Sequence, residues 1–274
     1  LLEGGVLVLL FFVLIPAGLN LWKKLAGGAS GSWGRLARIA VVAIIAAAAV
    51  FASTYKLVNA RSYQVFGTLV DRVETNEPLV ALTFDDGPNP SYTPSLLGVL
   101  RQRGAKATFF VIGAQVEEHP DLASQIVTEG HELGNHSFSH ERMVLKSYSF
   151  IKSEVDRTDA LIRQAGYVGP INFRSPYSKK FILLPFYLSR LGKRNIFWDM
   201  EPDSFPEVAK TADNIVSYVL ERARPGSIIL LHAENPSRHQ SLEAVGGILD
   251  GLKAKGFTFV TVSSLIAADT RSEQ

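Results

Sequence analysis

The sequence predicts an α/β protein on parallel strands, either a (β/α) barrel or a doubly wound sheet, preceded by an apolar helical hairpin. Three observations carry this. From Pro78 onward, short apolar runs of β character alternate with stretches of helical period. The runs are continuously apolar rather than alternating, the pattern of parallel strands covered on both faces. Polar clusters, "DD", "NHS", "RSP", "WDME" and "LLH", stand at the C-terminal ends of five of those runs. In parallel α/β architectures that edge is where ligands bind.

The N-terminus comes first. Gly4–Trp22 and Ile39–Tyr55 are uncharged runs of 19 and 17 residues, each near the length that crosses a bilayer core. Lys23, Lys24, Arg35 and Arg38 lie between them in a Gly/Ser-rich connector. Basic residues stay cytoplasmic, so the loop is expected inside and everything after Lys56 outside, a cell-membrane protein with its soluble part on the extracytoplasmic side. Two alternatives stand for the second run: a buried Ala-rich core helix, or a signal cleaved after "VFA", before Ser53. The chain opens on Leu, so its start is expected further upstream. Residues 1–58 carry a net charge of +4 against +2 for the whole chain, so the soluble part is slightly acidic. That balance gives no support to a nucleic-acid partner, and no protein partner is inferable. The chain has no cysteine, which excludes disulfides and thiolate metal sites.

Residues 59–77 read as a connector with a lead-in strand, "SYQVFGTLVDRV". The strands expected after it are 79–84, 106–113, 131–137, 171–176, 194–200, 226–232 and 257–262. Between them, Tyr92–Arg103 reads as a helix. "AQVEEHPDLASQIVTEG" places Val116, Leu122, Ile126 and Val127 on one helical face, and "SFIKSEVDRTDALIRQAG" does the same for Ile151, Val155, Leu161 and Ile162. The domain is expected to span 78–268, with a tail at 269–274.

The chemistry begins at "VALTFDDGPNP", where an apolar run ends in two adjacent carboxylates, Asp85 and Asp86. Their repulsion in a partly desolvated site is on the order of a few kcal/mol. A bound cation or a shared proton would offset it. His136 and His140 in "NHSFSH" stand at i, i+4, which on a helical turn brings the imidazoles to one side, about 6 Å apart at the β-carbons. With Asp85 or Asp86 they make a two-His, one-carboxylate set, whose vacant position suits a catalytic metal rather than a structural one. The plain alternative makes both histidines surface or capping residues. His232 at the end of "SIILLH" reads as a core histidine in isolation and as a proton donor if it faces that cluster. His119, His131 and His239 have no such setting. Arg174 is a surface residue or, beside an unligated aspartate, the group that keeps it ionised.

"TFDDGP" (83–88), "HSFSH" (136–140), "RSPY" (174–177) and "LLH" (230–232), in this order, resemble the motif series of polysaccharide deacetylases, the family 4 carbohydrate esterases. The resemblance covers roughly residues 78–266. It implies a distorted (β/α) barrel of about seven parallel strands and a divalent metal, most often zinc. Cobalt, nickel and manganese suit the same donors. It also implies an acetylated amino-sugar glycan as substrate. Carried over by position, it makes Asp85 the base, Asp86, His136 and His140 the metal ligands, and Arg174 the partner of Asp85. The Tyr177 backbone N–H would hold the oxyanion, and His232 would be the acid. Two departures stand out. "SKK" replaces the usual Gly after "RSPY", and Ser204 and Phe205 replace an Asp-Trp pair. Asp203 is the substitute expected to support His232, with Glu201 the other acid in reach. Phe205 is expected to form a groove wall, and Trp198 either to pack in the core or to stack on a sugar.

The expected function is N-deacetylation of an envelope glycan. Deacylation or deformylation of a lipid-linked or small saccharide is the runner-up, and a catalytically silent carbohydrate-binding module the alternative from another class. A magnesium site for phosphoryl or glycosyl transfer fits poorly, because two histidines are poor magnesium ligands and no phosphate loop is present.

Overall fold

A computed structural model describes residues 32–270, and the chain divides into two units, Leu1–Lys56 and Leu57–Gln274. What is described of the first unit is helical, within a helix α1 that runs from Ser32 to Asn59. Within its 26-residue stretch Gly34–Asn59 an 18-residue window has a mean hydropathy of 2.3, and none of that window is buried. At about 1.5 Å per residue such a helix exceeds the ~30 Å of a bilayer core. The other expected hairpin arm, Gly4–Trp22, lies outside the described residues with Lys23 and Lys24, as do the last residues of the tail. Among the described residues α1 alone has the length and composition to span a membrane.

The second unit is an α/β structure whose strands all pair in parallel. They are β1 (Leu69–Val70), β2 (Leu79–Asp85), β3 (Thr108–Val111), β4 (Glu132–Asn135), β5 (Asn195–Ile196), β6 (Ile228–Leu231) and β7 (Thr258–Phe259). The pairing order is β4-β3-β2-β6, with β7 added to the start of β2 and β1 paired to β5. Single bridges Asn135↔Phe173, Phe173↔Asn195 and Met200↔Ile229 carry the path from β4 through β5 back to β6, so the pairing closes on itself. The 59–77 segment is part of this unit. It contributes β1, and Val73 is fully buried.

Several elements are shorter than expected. The 171–176 run holds only the Phe173 bridges, because Pro170 and Pro176 flank it and proline supplies no N–H to a ladder. The last strand stops at Phe259, since the Thr261 hydroxyl caps a following helix, α9 (Val262–Ala267), at Ser264 N. Around the strands lie α2 (Thr93–Gln102), α3 (Gly113–Glu118), α4 (Pro120–Thr128), α5 (Tyr148–Gln164), α6 (Leu183–Arg190), α7 (Ala212–Arg222) and α8 (His239–Ala254). The helical run expected as one piece over 114–130 breaks between α3 and α4. His119 leaves helical geometry at φ −130°, and Pro120 restarts the helix where a missing N–H is tolerated.

Alternation along β2 positions the site. Val80, Leu82 and Phe84 pack outward with Leu96, Leu97, Ile248 and Leu249 of the helices, each full burial stabilising by roughly 2 kcal/mol. Ala81 faces the inner cluster of Phe110, Ile196, Ile228 and Leu230. Thr83 and Asp85 follow on that same inner side. Period-two geometry therefore delivers Asp85 to the mouth of the closed path, at the C-terminal strand edge.

Candidate functional site

Asp85 is buried and accepts a 2.7 Å bond from Arg174 Nη1. Arg174 is 0% exposed. Its other donors go to Thr83 Oγ1 at 2.9 Å, Ile196 O at 3.0 Å and Phe197 O at 3.3 Å. Its guanidinium lies 3.9 Å from the Phe110 ring centroid. The same residue orients a second group through its backbone: His136 Nδ1 stands 2.8 Å from Arg174 O. A carbonyl only accepts, so Nδ1 carries the hydrogen and Nε2 presents a lone pair.

That nitrogen lies between the two aspartates, 3.6 Å from Asp85 Oδ2. His136 Nε2 is 3.7 Å and His140 Nε2 is 3.3 Å from Asp86 Oδ1. Asp86 Oδ1 is buried and has no hydrogen-bond partner. Burial lowers the His140 imidazole to about 4, the neighbouring His136 adding to it, so it is neutral at ordinary pH. Burial raises the Asp86 carboxyl, but the three histidines around it and the Asn235 amide hold it below its usual range. One Asp86 carboxylate oxygen and one ring nitrogen from each of His136 and His140 lie within 4.8 Å of one another. This donor set fits a divalent cation of zinc type, and Asp86, His136 and His140 are the residues that would hold it.

The histidine pair does not sit on a helix, as its spacing suggested. Ser137 and His140 adopt left-handed backbone at φ 66° and 57°, so a folded-back loop brings the rings to 4.9 Å between centroids. Left-handed residues recur around the cleft at Asp86, Tyr177 and Ser178, each at a cost of about 1–3 kcal/mol. Buried hydrogen bonds hold the loop in place. Glu154 Oε2 accepts from Phe138 N at 3.0 Å and Ser139 N at 2.8 Å, and its Oε1 accepts from the Ser139 hydroxyl at 3.0 Å. Sequence reading missed Glu154, although a signal was present: it stands on the apolar stripe of α5 between Ile151, Val155 and Ile162.

His232 ends β6. Its backbone N–H donates to Asp203 Oδ2 at 2.7 Å, and its Nδ1 lies 3.3 Å from both Asp203 oxygens. Ser241 Oγ donates to the same carboxylate at 2.8 Å, and Arg238 stands 3.2 Å from it. Burial by itself lowers the His232 imidazole. The Asp203 bond and charge, with Asp85 and Asp86 beyond, override it and push it up to about 9. Asp203 moves the other way, held below its usual range against burial by His232 and then Arg238.

Asp85, Asp86, His136, His140, Tyr177, Trp198 and His232 line one cleft of about 630 Å³. Arg174 and Asp203 stand behind it. Glu201 bonds the Trp198 indole N–H at 2.9 Å, not His232. Trp198 is 6% exposed and packs with Phe197, which makes it chiefly a core residue that shows an edge to the cleft. Tyr177 is 51% exposed and lies 4.6 Å from the His140 ring. Phe205 does not line the cleft. The 3-10 turn Pro202–Ser204 carries it outward, where it is 47% exposed against Tyr218, and Ser204 takes the rim position. Two further groups escaped the sequence reading. Asn235 donates to Asp86 Oδ2 at 3.3 Å. Glu234, pushed up to about 7 by burial, lies under the turn after Asp86 and accepts from the Thr93 hydroxyl. A β-carbon at Gly87 would fall 2.0 Å from its carboxylate, so only glycine fits.

With this geometry in hand, comparison with known proteins is informative. A family model described as polysaccharide deacetylase matches residues 72–195, a span that stops short of Trp198, Asp203 and His232. A peptidoglycan-N-acetylglucosamine deacetylase of Bacillus cereus is 34% identical over 211 residues, covering 73% of this chain and 93% of that protein. A chitooligosaccharide deacetylase of Azorhizobium caulinodans is 32% identical over 200 residues, covering 68% and 93%. The solved Bc1960 peptidoglycan N-acetylglucosamine deacetylase superposes with a TM-score of 0.69 at 30% identity, over 73% of this chain and 92% of that one. A family 4 pseudoenzyme from Bacillus anthracis shares the fold at 24% identity, with a TM-score of 0.66 over 74% of this chain and 70% of its own.

Two outcomes follow from the geometry. Glu154→Ala removes three bonds from the histidine loop and should weaken zinc affinity about 10- to 100-fold in a calorimetric titration, with Glu154→Gln intermediate; unchanged affinity in Glu154→Ala would contradict the loop's dependence on that carboxylate. In metal-free protein the His232 ring should titrate near pH 9 by NMR. Since Asp203 favours the protonated ring, Asp203→Asn should move that titration to lower pH. A titration that stays in place would remove Asp203 as its partner.

Proposed function

The chain belongs to the polysaccharide deacetylase family, and from this we propose that it hydrolyses N-acetyl groups on an amino-sugar polysaccharide or oligosaccharide of the cell envelope. One observation supports the reading above the rest: an unpartnered buried carboxylate oxygen and two imidazole lone pairs converge in a cleft that Asp85 and His232 also line. A divalent cation bound by Asp86, His136 and His140, zinc being the one proposed, supplies Lewis acidity, acidifying a coordinated water and polarising the acetyl carbonyl. Cobalt, nickel and manganese suit the same ligands.

The protein's own groups move the protons. Asp85 takes the proton of the attacking water, its carboxylate fixed in direction by the sealed Arg174 guanidinium. The developing oxyanion accepts a hydrogen bond from the Tyr177 backbone N–H, a kind of contact worth about 3 kcal/mol. His232, protonated and held by Asp203, gives its proton to the departing nitrogen. Acetate and a free amine result. His232 acts only below its own pKa, so activity should fall as pH rises through that value.

The apolar Gly34–Asn59 helix supports anchorage in the cell membrane, with the catalytic unit on the extracytoplasmic side. The same helix favours a second reading, in which the acyl group comes from a lipid-linked saccharide. A silent binding module is disfavoured, since such a protein would be free to lose a ligand, the base or the acid, and none is missing.

Acetate release from a panel of acetylated glycans tests this. Wild type should release acetate from at least one member, and chelation should abolish it. His136→Ala should lose metal and activity together. His232→Ala should keep its metal while kcat falls about 100-fold or more. No acetate with any metal would favour the binding module, and metal loss in His232→Ala would mean its role is misassigned.

A further inference from the structure

The cleft has a feature that deacetylation does not use. Arg142 and Lys179 line it, and among the described residues neither forms an ion pair with a carboxylate. Nearby cations are satisfied differently. Arg238, also in the lining, is paired with Asp203 at 3.2 Å, and Arg61 with Glu201 at 3.6 Å. Lys179 donates only to the neutral Asn59 side chain, and Lys180 to the Ala60 carbonyl. The Arg142 guanidinium rests 5.0 Å from the centroid of the Tyr177 ring. The other neighbour of that ring is the His140 imidazole, so the cation is fixed relative to the metal ligands. Burial and then the Arg142 charge hold the Lys179 ammonium below its ordinary range. Lys179 belongs to the "SKK" run that replaces the small residue expected after "RSPY".

Two cations held together without a counter-charge repel each other, and a dication at Asp86, His136 and His140 would add to the positive potential. An anion arriving in the cleft relieves both. A guanidinium beside an ammonium suits a carboxylate or a phosphate monoester, with the fork of the arginine setting direction. We propose that Arg142 and Lys179 form an anion-recognition site in the cleft, and that the glycan this chain deacetylates carries a carboxylate or phosphate near the acetamido group it loses. This rests on the deacetylase reading and narrows its substrate to acidic glycans.

The test compares three probes on the full chain in detergent: a neutral N-acetylglucosamine tetramer, a tetramer with a carboxylate on alternate sugars, and a tetramer bearing a phosphate monoester. Wild type should show a KM about tenfold lower for a charged probe than for the neutral one, and added salt should erase the difference. The charged probe that gains identifies the source of the anion. Arg142→Gln combined with Lys179→Gln should raise that KM about tenfold, leaving kcat and the neutral KM within about twofold. Arg142→Glu, which reverses the charge, should do so further. Equal KM for all three probes, or equal losses on neutral and charged probes in the variants, would overturn the proposal. If no probe yields acetate, the deacetylase reading fails first, and calorimetric binding of the same tetramers decides the anion site alone. A charge-dependent Kd lost in the double variant supports it, and a Kd indifferent to charge overturns it.

Discussion

The arrangement turns on one guanidinium sealed inside the closed path of strands. Arg174 has no access to solvent, and its guanidinium donates four hydrogen bonds: to Asp85 and Thr83 on β2, and to carbonyls at Ile196 and Phe197. Its own carbonyl then fixes the tautomer of His136. One residue thus sets the base and one metal ligand together. A buried charge is tolerated only where it is paired and fully hydrogen-bonded, and removing one partner of such a pair costs about 3–5 kcal/mol. Asp85 is the partner that makes Arg174 tolerable, and Arg174 fixes the direction of the Asp85 carboxylate.

The repulsion between adjacent aspartates is resolved by dividing them. Chain alternation sends Asp85 inward to the guanidinium. The left-handed turn at Asp86, φ 74°, swings the second carboxylate toward the histidines. The mouth of the cleft then holds three electrostatic zones. Asp85 with Arg174 is neutral in sum and rigid. The Asp86 cluster gathers a carboxylate oxygen and two imidazole nitrogens, donors suited to a divalent cation. His232 with Asp203 is a proton reservoir, the acid kept charged by a carboxylate that Ser241 and Arg238 hold in place.

Much of this was legible in residue order because the carriers lie at strand ends, where composition changes abruptly. The aspartate pair, the spaced histidines and the terminal histidine of "SIILLH" are of that kind. Asp203 was legible as the acid next to a missing one, and its carboxylate is the one His232 touches. What escaped depends on backbone direction rather than composition. The i, i+4 histidines suggested a helical turn, yet the pair is held by left-handed residues that no periodicity reports. The 171–176 run had strand composition, but prolines at both ends limit it to single bridges. Phe205 looked like a groove wall, and a 3-10 turn rotates it away. Glu154 and Asn235 act through hydrogen bonds to residues 15 to 149 positions distant, separations over which a local pattern carries little information.

The central claim is that Asp86, at the end of β2, and His136 and His140, on a separate loop, converge as the ligands of one cation. Anomalous diffraction at the zinc edge from crystals grown with the metal measures it most directly. The account predicts one strong peak about 2.0–2.2 Å from Asp86 Oδ1, His136 Nε2 and His140 Nε2 alike. Zinc sitting instead among Glu201, Asp203 and His232, the other cluster with donor atoms close enough to hold an ion, or no ordered zinc in the cleft, would contradict it.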